Sequence, residues 1–385
     1  MGWDGMGETR QPARFLFLHS QTGGGHQRVA LAVTEALKER YGDRAQIELV
    51  DALAAYAPWP FCRLPDWYGG MLWGGGLAYG LGFRLLDRQR LARTLSRICW
   101  PWVAPAARRL LALHPADVVV AFHPVLIQTV ARALAEAGAS APLVAVGTDL
   151  VVMHALWADS HVRRYLVATE AARARLARHG VDPARVEVVG LPVGRCFREV
   201  VQEDPYALRS RLGLDSARPL VLVMGGGEGF GPLERLAQTL ARLPTQVVVL
   251  TGRNERLCAR LTRSLPPGSA RVERFTPEVQ RWMRAADLLV TKAGPNTIAE
   301  ALVVGTPLVL WGAIPAQETP NVRLVVEAGA GVWAPGSRWT AAAVARLLGD
   351  GGRRAQMRER GRWLACPQAA ERAAGVLWEI AQSHR

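Results

Sequence analysis

Lysine is almost missing from this sequence: Lys38 and Lys292 are the only two among 47 cationic residues. The net charge of +14 is therefore carried by guanidinium groups, and an arginine-biased composition supplies part of it. Such a surface suits nucleic acid, an anionic membrane or a phosphate-bearing substrate without choosing among them. Paired cysteines are missing too. Cys62, Cys99, Cys196, Cys258 and Cys366 are odd in number and never spaced C-x-x-C, which argues against a disulfide framework or zinc site and points to a reducing cytosol. The first thirteen residues carry Asp4 and Glu8 and no apolar core, so they read as a loose leader and not as a signal peptide. The longest uncharged stretch, Trp67 to Phe83, is studded with glycines and falls short of the roughly 20 residues a spanning helix needs.

What is present is an ordinary globular balance, 50% hydrophobic and 21% charged, over 385 residues. That length favours two domains. Short apolar runs at Phe15 to Leu18, Ile47 to Val50, Val118 to Phe122, Leu143 to Val146, Tyr165 to Val167 and Val186 to Val189 alternate with helical patterns such as His26 to Arg40 and Val125 to Glu136. After a polar stretch at Val201 to Asp215 the alternation restarts with Leu220 to Met224, Val247 to Leu250, Arg271 to Phe275, Leu288 to Thr291 and Leu308 to Trp311. Alternation of this kind predicts α/β domains with parallel sheets covered on both faces. The expected division is a first domain over 14–200, a second over 216–365, and a last helix over 366–385 that crosses back to the first. An interruption at about 57–102 gathers Trp59, Phe61, Trp67, Tyr68, Trp73, Tyr79, Phe83, Trp100 and Trp102 among glycines and arginines. Such aromatics settle at a lipid headgroup boundary, and Arg84, Arg88, Arg90, Arg93 and Arg97 suit anionic lipids.

Ligands of open α/β sheets bind beyond the carboxyl ends of the strands, so the turns there hold the candidate chemistry. In the second half, Gly226, Gly227, Glu228 and Gly229 follow a strand and offer backbone N–H groups to a diphosphate. Lys292, Gly294, Asn296 and Thr297 form a second such turn, and Glu300 one helical turn on has a carboxylate for both ribose hydroxyls. A third loop brings Gln317, Glu318 and Asn321, donors and acceptors of the kind that sugar hydroxyls require. In the first half, Gly25 and His26 open a helix whose positive end favours a neutral imidazole, the form a general base needs. His123, Asp149, His154 and Trp157 stand at later strand ends; as base, His26 ranks first and Asp149 second.

Together these motifs resemble the monogalactosyldiacylglycerol synthase and processive diacylglycerol glucosyltransferase family. The stretches that carry the resemblance are TGGGHQRVA at 22–30, FHPV at 122–125, TDLVVMHALW at 148–157, GLPV at 190–193, GGGEGFGP at 225–232, TGRN at 251–254 (which brings in Arg253), TKAGPNTIAEAL at 291–302 and IPAQETPN at 314–321. The resemblance implies a GT-B fold and inverting transfer of hexose from UDP-galactose or UDP-glucose to diacylglycerol, with no bound cofactor and no essential metal. It also implies peripheral attachment, with anionic lipids as partners, to the cytoplasmic face of the cell membrane. By the same resemblance His26 is the base or its neighbour, and Glu300, Gln317 and Glu318 hold ribose and sugar. Three positions depart from the family: Ala155 stands where proline is usual, and Asn296 and Ala316 where glycine is common. The first lies in the acceptor-side motif, so acceptor identity is what it bears on. No nucleic-acid motif accompanies the charge, and no obligatory protein partner is evident. The rival readings are a UDP-sugar transferase acting on another lipid acceptor and a UDP-sugar epimerase on the same fold, the latter needing neither a lipid nor the aromatic stretch.

Overall fold

A computed structural model describes residues 11–21, 24–71 and 76–384. Most of the leader, Thr22 and Gly23 of the first glycine turn, Trp73 of the aromatic stretch and the Tyr68 side chain lie outside the described residues. The first half runs β1 (Ala13–His19), α1 (Gly25–Tyr41), β2 (Ala45–Asp51), α2 (Ala52–Tyr56), α3 (Leu64–Met71), α4 (Leu77–Leu86), α5 (Gln89–Leu113), β3 (Val118–Ala121) and α6 (Pro124–Glu136). It continues through β4 (Leu143–Val146), β5 (Val162–Val167), α7 (Glu170–Arg178) and β6 (Val186–Val188). Two short helices, α8 (Arg195–Glu199) and α9 (Pro205–Arg211), lead onward. The second half comprises β7 (Leu220–Met224), α10 (Leu233–Leu240), β8 (Gln246–Leu250), α11 (Glu255–Ser264), β9 (Arg271–Glu273), α12 (Val279–Ala285) and β10 (Leu288–Lys292). Then come α13 (Pro295–Val304), β11 (Leu308–Gly312), α14 (Thr319–Glu327), β12 (Gly331–Trp333), α15 (Ser337–Gly349), α16 (Gly351–Leu364) and α17 (Ala369–Ser383).

Each half is one six-stranded sheet, ordered β2-β1-β3-β4-β5-β6 in the first and β12-β11-β10-β7-β8-β9 in the second, and every pairing is parallel. Central strands such as VVVA of β3, LVAV of β4 and LVLVM of β7 are apolar and buried along their whole length, as strands covered by helices on both faces must be. In each sheet the chain builds one side first and then crosses to the other, reversing direction between β1 and β3 and between β7 and β10. The crevice beyond the carboxyl end of such a pair is where an open sheet has room for a ligand. The two crevices open onto one cleft.

Some elements differ from the sequence reading. β12 escaped it because Gly-Val-Trp is too short to show a period. The polar stretch after Val201 is not loose: α9 lies within it, and the buried Arg209 donates to the Ala285 carbonyl at 2.8 Å and pairs with Asp287 at 2.8 Å. The aromatic segment does not end near Trp102, since α5 runs on through Pro101 and Pro105 to Leu113. Its tryptophans also divide. Trp100 is buried with Arg132 4.5 Å over its ring, whereas Trp59, Trp67 and Trp102 stand 78%, 46% and 64% exposed. Among the described residues no helix is long and apolar enough to cross a membrane. At the carboxyl end α17 packs along α1, with Trp378 stacked on Tyr41 at a centroid distance of 4.1 Å.

Candidate active site between the two sheets

The cleft has room of about 270 Å³ and takes its walls from both halves. From the first half come Gly25, His26, Arg28, Thr148 and Asp149, carried by the start of α1 and the loop after β4. His26 sits in the first turn of α1, and its Nδ1 lies 2.8 Å from the Phe122 carbonyl oxygen. A carbonyl only accepts, so Nδ1 carries the proton and Nε2 is left with a free lone pair. Thr148 Oγ1, 2.8 Å from the same nitrogen, shares that proton. Burial lowers the His26 pKa to about 4; the Phe122 hydrogen bond works against this and His19 adds to it. The imidazole is thus neutral, oriented and at the cleft. Asp149 is moved the other way: burial raises its carboxyl to about 7, opposed by Gln317 and assisted by the charge of Glu318. The Trp157 indole beside it also opposes the rise.

From the second half come three turns. Gly226 and Gly227 follow β7, and Arg253 after β8 donates to Glu228 at 3.1 Å with its guanidinium 4.8 Å from the Phe275 ring centre. After β10, Gly294 begins α13 with Pro295 in the first turn, and among the described residues no side chain caps that helix end. The same holds for α1 behind Gly24, so two helix ends with unsatisfied N–H groups converge here. They meet closely: a Cβ on Gly25 would stand 2.5 Å from Asn296 Nδ2, so any larger residue there must displace that side chain. After β11, Glu318 is held between the Lys292 ammonium and the Ile314 backbone N–H, the latter at 2.9 Å.

The expected residues thus divide by position. Gly25, His26, Asp149, Gly226, Gly227, Glu228, Arg253, Lys292, Gly294, Asn296, Thr297, Gln317 and Glu318 all line the cleft. Six others stand behind it. Gly229 packs against Thr251, with a Cβ there only 2.3 Å from that carbonyl oxygen. Asn321 is buried and donates to the Ala293 carbonyl at 3.0 Å, fixing the turn that follows β10. His123 caps α6 and lies edge-on to His26 at 4.3 Å between ring centres. His154 caps the turn at Ala155–Trp157 and donates to the Phe83 carbonyl at 3.2 Å, and Trp157 is fully buried. Glu300, also buried, is paired with Arg28 across the cleft at 3.1 Å, and burial raises its carboxyl while Arg28 opposes the rise. Sequence reasoning missed Arg28, Thr148, Phe275 and Tyr79. Arg28 lies one helical turn from Gly25 and Thr148 directly precedes Asp149, so adjacency alone signalled two of them.

Two parallel α/β halves that close one cleft at their switch points make up the GT-B fold. Comparison with known proteins carries this further. Residues 26–193 match the family described as monogalactosyldiacylglycerol (MGDG) synthase, and residues 220–347 match the glycosyltransferase family 28 C-terminal domain. The chloroplastic monogalactosyldiacylglycerol synthase of Spinacia oleracea is 35% identical over 89% of this chain and 67% of its own length. Monogalactosyldiacylglycerol synthase 1 of Arabidopsis thaliana is 33% identical over 97% and 72%. The chain belongs to the monogalactosyldiacylglycerol synthase family. Among solved structures, Acinetobacter baumannii MurG superposes with a TM-score of 0.60 at 17% identity, covering 96% of this chain and all 100% of that one. S. aureus MnaA, in co-structure with UDP, gives 0.63 at 13% over 96% and 97%, and Anabaena HepE in complex with UDP gives 0.57 at 16% over 96% and 100%. These three share the fold.

Proposed function

We propose that this glycosyltransferase moves galactose or glucose from its UDP conjugate to the free hydroxyl of 1,2-diacylglycerol, with inversion at the anomeric carbon, on the cytoplasmic face of a membrane. The observation that carries the reading is His26, which lines the cleft with Nδ1–H engaged by the Phe122 carbonyl and Nε2 left over as a base. Relatives in sequence are named for monogalactosyldiacylglycerol synthesis, and two of the solved structures hold UDP, which supports the donor and acceptor classes.

The step is a single displacement. Nε2 takes the acceptor hydroxyl's proton as its oxygen attacks the anomeric carbon, and the bond to UDP breaks with its electron pair leaving on the diphosphate. Backbone amides of Gly226 and Gly227, the uncapped end of α13 at Asn296 and Thr297, and Arg253 receive that charge. Gln317 and Glu318 take the sugar's hydroxyls, Asn321 and Lys292 hold these groups in place, and Glu300, buried against Arg28, fixes α13 against α1 behind the ribose side of the cleft. On the acceptor side Asp149 lines the cleft together with His26, His123 packs against His26, Trp157 lies by Asp149, and His154 orders the turn before Trp157.

The lipid is reached along α4 and α5. Leu77, Leu81 and Leu85 repeat every four residues on α4, and Leu91, Leu95, Ile98 and Trp102 form a second stripe on α5; all are exposed. Arg84, Arg88, Arg90, Arg93 and Arg97 are exposed among them, the pairing of apolar and cationic groups that settles on an anionic bilayer. The test is transfer of radiolabel from UDP-galactose or UDP-glucose into an organic-soluble product with diacylglycerol in phosphatidylglycerol vesicles. A β-linked hexosyl lipid from one donor supports the reading. Turnover of the UDP-sugar to an epimer, with no lipid product and no need of vesicles, overturns it.

A further inference from the structure

Helix α4 carries its apolar stripe on one side and touches the sugar-facing loop of the opposite half on the other. Leu77, Leu81 and Leu85 are 74%, 63% and 50% exposed. Gly80, between them in sequence, is buried against Pro315, so closely that a Cβ there would stand 2.7 Å from Pro315 Cβ and 3.2 Å from its carbonyl oxygen. Tyr79 donates its hydroxyl proton to Gln317 Oε1 at 2.9 Å. Gln317 lines the cleft with Asp149 and opposes the rise of that carboxyl. Through Gln317, α4 therefore reaches the part of the cleft that holds the acceptor-side carboxylate. The loop that Tyr79 grips is under backbone strain: Ala316 has φ +66°, a left-handed conformation that a non-glycine residue holds only where its surroundings impose it. At its other end α4 is anchored to the acceptor half, because Asp87 accepts from the Ala155 N–H at 2.8 Å and pairs with Arg175.

We propose that α4 couples the seating of this enzyme on an anionic bilayer to the geometry of its sugar subsite, with Tyr79 as the positioning residue that holds Gln317. The inference rests on the membrane and donor assignments above. A bilayer that takes up Leu77, Leu81 and Leu85 fixes α4, and the fixed helix holds Pro315, Ala316 and Gln317 in the conformation the hexose meets. Free in solution, α4 has none of the described residues covering Leu77, Leu81 and Leu85, and it holds that loop less firmly. The diphosphate subsite lies on other loops and does not feel the change.

The experiment titrates UDP-galactose, UDP-glucose and UDP separately into the full chain, with and without phosphatidylglycerol vesicles free of diacylglycerol, so that no lipid product forms. Flotation with the same vesicles measures membrane binding. In the wild type, vesicles are expected to tighten the UDP-hexose at least threefold and leave UDP unchanged. Tyr79→Phe keeps the ring and removes the hydroxyl; it is expected to weaken the UDP-hexose about threefold to tenfold, lose the vesicle effect and retain wild-type UDP affinity and flotation. Gly80→Ala, which pushes α4 off Pro315, is expected to do the same. A Tyr79→Phe protein that binds UDP-hexose and responds to vesicles like the wild type overturns the coupling, as does one that loses UDP equally, which marks a purely structural role. Failure of the wild type to float sinks the membrane assignment and the coupling with it. Failure of the wild type to bind UDP sinks the donor assignment and the coupling alike.

Discussion

His26 and Asp149 share one cleft, yet burial moves their protons in opposite directions, because each is driven toward its neutral form. The imidazole is held down at about 4 and the carboxyl pushed up to about 7. With His26 as the base, kcat/KM falls as pH drops through about 4, and Asp149→Asn removes any inflection near 7 while leaving the one near 4. A pH–rate profile of both proteins checks this. His19 and His123 are lowered too, chiefly by burial. The unfolded chain then binds protons that the native one refuses, so stability contributed by these histidines is intact above the ordinary value of 6.5 and is lost as pH falls toward about 4. Asp149 and Glu300, raised by burial, work the other way over the same range, so the urea midpoint of Asp149→Asn is expected to drop further between pH 7 and pH 5 than that of the wild type. Arg28 offers another test. It is 35% exposed while its partner Glu300 is 5% exposed at the side chain, so Arg28→Ala leaves a buried carboxylate unpaired and is expected to cost about 2 kcal/mol. Adding Glu300→Gln should recover part of that, as read by denaturant titration of the two variants.

Element by element, α4 and α5 carry the exposed apolar stripes that are proposed to meet the lipid. Leu81→Asp with Leu85→Asp places two charges on the exposed stripe; vesicle flotation is expected to fall at least tenfold, with Tm nearly unchanged since both side chains already face water. The regular elements were legible in the sequence because a strand buried on both faces must read as an unbroken apolar run, as β3, β4 and β7 do, and because the turn after each of the key strands is glycine-rich. β12 was not, since three residues define no period. The cleft loops were found through their residue types, and thirteen of their residues line one space. What stayed hidden were the partners. Arg28 and Glu300 are 272 residues apart, and Tyr79 and Gln317 are 238 apart, so nothing local marks either pair. Glu300 looked free for ribose for the same reason: its cation comes from the other half.

At the scale of the molecule, each sheet supplies an incomplete site. On the proposed reading the first offers a base without a donor pocket, and the second offers helix ends and polar loops without a base. Arg28 with Glu300, Tyr79 with Gln317 and Gly25 against Asn296 join the halves at the cleft itself, while Trp378 on Tyr41 joins them at the far end of α1. Closing the two halves excludes water from a reaction in which hydrolysis of the donor is the competing loss. The measurement that tests this account most directly is hexose transfer to diacylglycerol by His26→Ala, set beside its affinity for UDP. The account predicts a fall of about 10²–10⁴-fold in kcat with UDP binding unchanged. Transfer at the wild-type rate by that variant would contradict it.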